Sequence, residues 1–234
     1  MTFGLVLLTF NEIDGLKELW DKIPYDKFDE FFAVDGGSTD GTLDFFKQNN
    51  VNVIGQSKKG RGEAFRLAFQ KSQSNILIFF SPDGNENPMD CLSIKNEFIK
   101  DNSIDLVIAS RMMKGAKNEE DDQILKLRKW ANNIFNLLAN LFFNQNYKSN
   151  FITDSINGFR GFKRESFNKL NLDALGYTIE YQSTIRSFKK RMKIVEIPTI
   201  EGSRIGGESY AKSIPTGIRF INCLLKELFV FHPK

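Results

Sequence analysis

The sequence predicts an α/β protein, a mainly parallel sheet flanked by helices and followed by a C-terminal helical region. Two observations carry that expectation. Short, almost purely apolar runs alternate with longer stretches of helical periodicity, the order that forces right-handed crossovers between parallel strands. The polar residues with chemical potential fall just after those apolar runs, where sheets of this kind bind ligands.

Residues 3–8 are apolar throughout, the pattern of a strand buried on both faces, and a helix follows toward Trp20 and ends before Pro24. A second strand at 31–34 runs into a turn-rich stretch at 35–42, which caps a helix at 43–48. A strand at 51–54, a helix at 62–73, a strand at 76–80 and a strand at 106–109 complete the first run. The rhythm changes after Gly115 and divides the chain into 1–115 and 116–234, expected to form one continuous domain. A charged loop at 117–122 precedes a helix at 123–143 that carries Leu127, Ala131, Ile134, Leu138 and Leu141 on one face. A polar loop at 154–160 then opens a segment ending in a strand. A helix at 178–190, a strand at 193–197 stopped by Pro198, and an amphipathic helix at 214–231 close the chain.

Composition narrows the function classes. With 234 residues, 41% hydrophobic and 26% charged, the chain is an ordinary globular one, and its 23 phenylalanines are expected mostly in the core. A net charge of +3 argues against nucleic-acid binding. Cys91 and Cys223 stand far apart without metal-ligand spacing, and the single histidine, His232, lies next to the C-terminus. Carboxylates are therefore left to carry the chemistry. No signal segment and no apolar run near the ~20 residues of a spanning helix is visible, so a cytoplasmic setting is expected.

Four loops offer chemistry. Asp83 and Asn85, in the loop 81–88 after an apolar strand, present the hard oxygens that Mg²⁺ or Mn²⁺ takes, although the same residues also make a plain turn. Asp35 and Gly36 open a loop that can hold a nucleoside, with a helix-capping loop as the alternative. Lys59 and Arg61 belong to a basic cluster able to neutralise a diphosphate or simply to face water. Arg204 and Lys212 bracket a glycine-hinged basic loop that reads either as a lid over a leaving diphosphate or as ordinary surface.

Taken in order, these stretches resemble the family 2 glycosyltransferases of GT-A fold, and within them the dolichyl- or polyprenyl-phosphate sugar synthase branch. The resemblance rests on residues 9–12 with Asn11 and Glu12, residues 34–42, residues 81–85, residues 109–111 with Gly115, and Asp154 with Gly158, Phe159 and Arg160. It implies a nucleotide-sugar donor bound by residues 1–115, through Asn11, Glu12, Asp35, Gly36, Lys59, Arg61, Asp83 and Arg111. It also implies a divalent cation bridged by Asp83, with Asn85 beside it. Acceptor contacts fall in 116–234, at Gly158, Phe159 and Arg160, and Asp154 becomes the candidate base or acceptor anchor.

Two departures stand out. Ser81 occupies the place of the family's first acid, which predicts weakened cation binding, and Tyr210 follows Ser209 where the branch carries lysine. The expected reaction is inverting sugar transfer to a polyprenyl phosphate or a growing glycan, with Arg204 and Lys212 steadying the departing diphosphate. Ile214, Ile218, Ile221, Leu225 and Leu228 give the last helix an apolar face for peripheral contact with the inner face of a membrane, or for core packing. Two alternatives remain. One is a nucleotide-sugar-binding protein without catalysis, suggested by Ser81; the other, ranked lower, is a sugar nucleotidyltransferase.

Overall fold

The computed structural model describes residues 1–206 and 213–229, and all statements below concern these. Seven strands form one sheet in the order β3-β2-β1-β4-β6-β5-β7. The central strand β1 (Phe3–Thr9) is buried at every position, as its unbroken apolar run requires. It pairs in parallel with β2 (Glu30–Asp35) and β4 (Ile76–Phe80), and β2 pairs in parallel with β3 (Val53–Gly55). Further along, β5 (Leu106–Ser110) and β7 (Ile194–Pro198) are parallel. Only β6 (Arg160–Lys163) runs against its neighbours, wedged antiparallel between β4 and β5. Because β6 and β7 come from beyond residue 115, the two halves of the chain share one sheet.

Helices cover both faces. On one side α1 (Ile13–Leu19), α2 (Thr42–Gln48) and α4 (Asp90–Lys100) bury Leu16, Phe46, Ile94 and Phe98 against the sheet. On the other, α3 (Arg61–Lys71), α6 (Arg164–Lys169) and α7 (Ile179–Lys189) do the same with Phe65, Phe167 and Ile185. Phenylalanine fills much of both cores. Phe65 stacks on Phe79 and Phe69 on Phe167, each pair with ring centroids 4.0 Å apart.

The two remaining helices, α5 (Leu127–Phe143) and α8 (Ser213–Phe229), pack on α7 and on each other. Their predicted apolar stripes face the core only in part, through Leu138 and Leu228. On α5, Leu127, Ile134 and Leu141 are 63%, 57% and 50% exposed, and Ile218, Ile221 and Leu225 of α8 are similarly open to solvent. The buried face of α5 carries Asn136 and Asn140 beside Ala139 and Phe143. Asn136 accepts from Ser155 N–H at 2.9 Å and donates to the Thr153 carbonyl, while Asn140 donates to the Ile152 carbonyl and accepts from its N–H. Residues 152–155 form a buried segment without a strand neighbour, and amide side chains supply the partners its backbone needs. No helix among the described residues is long and apolar enough to cross a membrane.

Candidate active site

The loops after β1, β2, β4 and β5 open on one rim of the sheet, joined there by the segment after β7. At the end of β1, Asn11 takes a left-handed conformation, φ 58°, which asparagine tolerates better than bulkier residues. Its side-chain oxygen accepts from Thr39 N–H at 2.8 Å and its own N–H donates to Ser38 Oγ at 2.8 Å, so it ties the β1 loop to the β2 loop.

Asp35 is almost wholly buried. Its Oδ1 accepts from the Gly37 and Ser38 N–H groups, both at 2.8 Å, and its Oδ2 from Thr9 Oγ1 at 2.9 Å and Ser38 Oγ at 2.6 Å. The carboxylate expected to contact the base is here engaged with its own loop, and the neighbouring Gly36 lines the cavity.

The cavity that Gly36 lines measures about 830 Å³, and Phe10, Glu12, Lys59 and Arg204 also line it. A second cavity of about 560 Å³ takes in Arg111, Gly158, Phe159 and Glu180. Arg61, Ser81, Asp83 and Asn85 border both, so the end of β4 forms their common wall. Lys59 sits with its ammonium 5.8 Å from the centre of the Phe10 ring.

The segment after β7 reaches this wall through backbone bonds. Ile205 N–H donates to the Asp83 carbonyl at 2.7 Å and Gly202 N–H to the Asn85 carbonyl at 2.9 Å. Gly84, at φ 95°, permits the approach, since a Cβ there would lie 2.8 Å from the Ile205 nitrogen. Arg204 then bridges two acids, with Nη2 2.6 Å from Glu12 Oε1 and Nη1 2.8 Å from Asp83 Oδ2.

Burial sets the acidity of this wall. It raises Glu12 to about 7 against the pull of Arg204, and it raises Asp83 as well. Glu86, which accepts from Ser81 N–H at 2.7 Å, is raised to about 8 by burial and by the charge of Asp83. A divalent cation among these oxygens would reverse that trend. The residues fit one: Asp83 supplies a carboxylate, and Asn85 Oδ1 is buried without a hydrogen-bond partner. Among the described residues no three acids, histidines or cysteines form a metal cage. A cation here would take only part of its shell from the protein, as Mg²⁺ commonly does at phosphate sites.

Two of the residues expected on the acceptor side are engaged with protein partners. Asp154 is fully buried in a bidentate pair with Arg111, Nε to Oδ2 2.7 Å and Nη2 to Oδ1 3.0 Å, and also accepts from Asn157 N–H. The carboxylate thus holds Arg111 in place, and Glu201 holds the same guanidinium from the other side at 3.1 Å. Arg160 lines neither cavity. It is fully buried and donates to the carbonyls of Ser155, Asn157 and Glu180, a strut between β6 and α7 where an acceptor contact was expected. Phe159 is likewise buried and packs edge-on against Phe80. Gly158 lies against Arg61, and a Cβ on it would meet Nη2 at 2.0 Å. Lys212 lies outside the described residues.

Glu180 was not anticipated. It is buried beside Arg61, paired through Oε1, while Oε2 has no hydrogen-bond partner. Nothing local marks it, because it lies on the first turn of α7, far in sequence from every loop of the rim. Its one sequence signal is an acid near a helix start, which ordinarily answers the helix dipole.

A parallel-sheet rim here gathers carboxylates, an amide oxygen and arginines between two adjoining cavities, on a fold of the GT-A type. The chain belongs to glycosyl transferase family 2, whose model matches residues 5–170. It is 27% identical over 195 residues to glycosyltransferase AglJ of Haloferax volcanii, covering 82% of this chain and 60% of that protein's length. It is also 27% identical over 220 residues to the undecaprenyl-phosphate mannosyltransferase of Micrococcus luteus, covering 87% of this chain and 85% of that one. Its fold is similar to glucosyl-3-phosphoglycerate synthase of Mycobacterium tuberculosis in complex with Mn²⁺ and UDP-glucose. That match has a TM-score of 0.77 at 20% identity and covers 99% of this chain and 80% of the other.

Proposed function

We propose that this protein transfers a sugar, with inversion, from a nucleoside-diphosphate sugar to a polyprenyl phosphate at a membrane surface. One observation carries the acceptor side: the second cavity is lined both by Asp83, Arg61 and Arg111 and by Leu127 and Phe135 of α5 and Phe220 of α8. Those helices carry the solvent-exposed apolar stripes. A cavity lined by arginines and by apolar residues of two helices suits an anionic head on an isoprenoid tail. The names of relatives agree, among them the M. luteus enzyme and a Methanococcus voltae UDP-N-acetylglucosamine–dolichyl-phosphate transferase.

The donor belongs in the first cavity, with its diphosphate toward the common wall. A divalent cation, Mg²⁺ or Mn²⁺, held by Asp83 and Asn85 would neutralise charge on the diphosphate as the glycosidic bond breaks. Arg204 and Lys212 add positive charge on the leaving group, and Arg61 and Arg111 orient the acceptor phosphate for in-line attack on the anomeric carbon. A phosphate acceptor is already ionised, so no general base is required. Membrane contact is assigned to residues 214–231 together with the outer stripe of α5.

A hydroxyl acceptor on a growing glycan is favoured by one observation, the unpartnered Oε2 of buried Glu180, which is placed to take a proton. The test is transfer from labelled UDP- and GDP-sugars to undecaprenyl phosphate in detergent, compared with free oligosaccharides. Labelled lipid that releases its sugar in mild acid is the expected product. Label appearing only in the oligosaccharides would overturn the lipid-phosphate reading.

A further inference from the structure

Ser81, in the place of the family's first acid, is already engaged: its Oγ accepts from Arg61 Nη1 at 3.1 Å and its N–H donates to Glu86. It contributes no charge to a cation. A carboxylate from another loop lines the same cavity. Glu12, at the end of β1, and Asp83, at the end of β4, both line the first cavity, and the span of one guanidinium separates the oxygens they present.

The geometry points to Glu12 as a second carboxylate of the cation site, with the Arg204 guanidinium holding the cation's place until it arrives. Three observations converge on it. A positive group already sits between the two acids, so the arrangement is built for a cation rather than for mutual repulsion. Beside them Asn85 Oδ1 is buried and unpartnered, a hard oxygen that no protein donor satisfies. The guanidinium is held through both Nη atoms but its buried Nε has no partner, while its backbone is fixed to the wall through Ile205 and Gly202. The backbone bonds are independent of the side chain, so displacement of the guanidinium would leave its segment in place.

The charges favour the exchange. The one Arg204 guanidinium is shared between two carboxylates; a dication would neutralise both and free the guanidinium for the diphosphate that arrives with it. Arg204 thus serves the leaving group only once the cation has displaced it, and cation and donor bind as a pair. The inference rests on the donor reading above, and its test separates the two.

Mn²⁺ binding to the full chain, with and without UDP, is measured by electron paramagnetic resonance in wild type, Glu12→Gln, Glu12→Asp, Asp83→Asn and Arg204→Met. Thermal melting confirms that each variant is folded. Glu12→Gln and Asp83→Asn are each expected to weaken Mn²⁺ by about tenfold, the scale of losing one charged oxygen ligand. Glu12→Asp should lose less than Glu12→Gln, and Arg204→Met should bind Mn²⁺ severalfold more tightly when UDP is absent. Wild-type Mn²⁺ affinity in Glu12→Gln beside a loss in Asp83→Asn would overturn the assignment of Glu12 and leave the donor reading standing. Failure of wild type to bind UDP at all, with or without Mn²⁺, would remove both.

Discussion

Arg111 and Asp154 close a bidentate pair at 2.7 and 3.0 Å across the strand ends, with the carboxylate sealed from solvent. Asp154 therefore aims a guanidinium into the second cavity. Asp154→Asn leaves Arg111 with Glu201 alone and is expected to destabilise the protein by about 3–5 kcal/mol, the usual result of breaking a buried pair. Acceptor KM should rise more than kcat falls, and the pH–rate profile should keep its acid limb. Loss of that limb in the variant would show Asp154 to be a base after all.

Gly158→Ala places a methyl where Arg61 now passes. The guanidinium must leave Glu180 or Ser81, so kcat/KM is expected to fall at least tenfold. Stability should drop by only about 1–3 kcal/mol, as overpacking generally costs. Steady-state kinetics beside a urea melt would check both, and unchanged kinetics would mean that Arg61 has no role in turnover.

Glu196 governs part of the pH dependence of stability. Burial raises it to about 7 from an ordinary 4.5, although the N–H groups of Thr153 and Asp154 favour its charged form. The folded protein keeps the proton that the unfolded chain releases from pH 4.5 upward, so the unfolded state binds fewer protons across this range. Its contribution is present in full below 4.5 and drains away as pH climbs through 7. Melting temperatures of wild type and Glu196→Gln between pH 4.5 and 8 should show this downward component in wild type alone; parallel curves would refute it.

The exposed stripes can be charged without touching the core. Ile134→Glu and Ile221→Glu, both at open positions, should leave melting within about 0.5 kcal/mol of wild type. Each should lower cosedimentation with anionic liposomes by about tenfold, because an apolar anchor becomes a repelled charge. Equal sedimentation of the variants would remove the membrane role of α5 and α8.

The legibility of this chain differs by element. The run at the N-terminus reads as a buried strand because every position is apolar, and β1 is the central strand. The place of β6 was hidden, since its four residues follow a polar loop and take their order from neighbours far away in sequence. The stripe on α5 was visible as a period of 3.6, but periodicity reports which residues share a face and not which face meets the core. The buried segment at 152–155 claimed the asparagine face for its backbone bonds.

Among candidate site residues the same division holds. Order and residue type along the chain were enough to determine the α/β class, the family, and the gathering of Glu12, Asp83 and Arg111 at strand ends, because parallel crossovers bring those ends to one edge. Tertiary structure alone decided what each charge faces. Asp35 turned into its own loop, Arg160 became a strut, Arg204 came to span two acids, and Glu180 arrived from a distant helix. A side chain's partners depend on distances that vary independently of sequence separation, and in a buried wall of like charges the partner determines whether a group binds, braces or holds a proton.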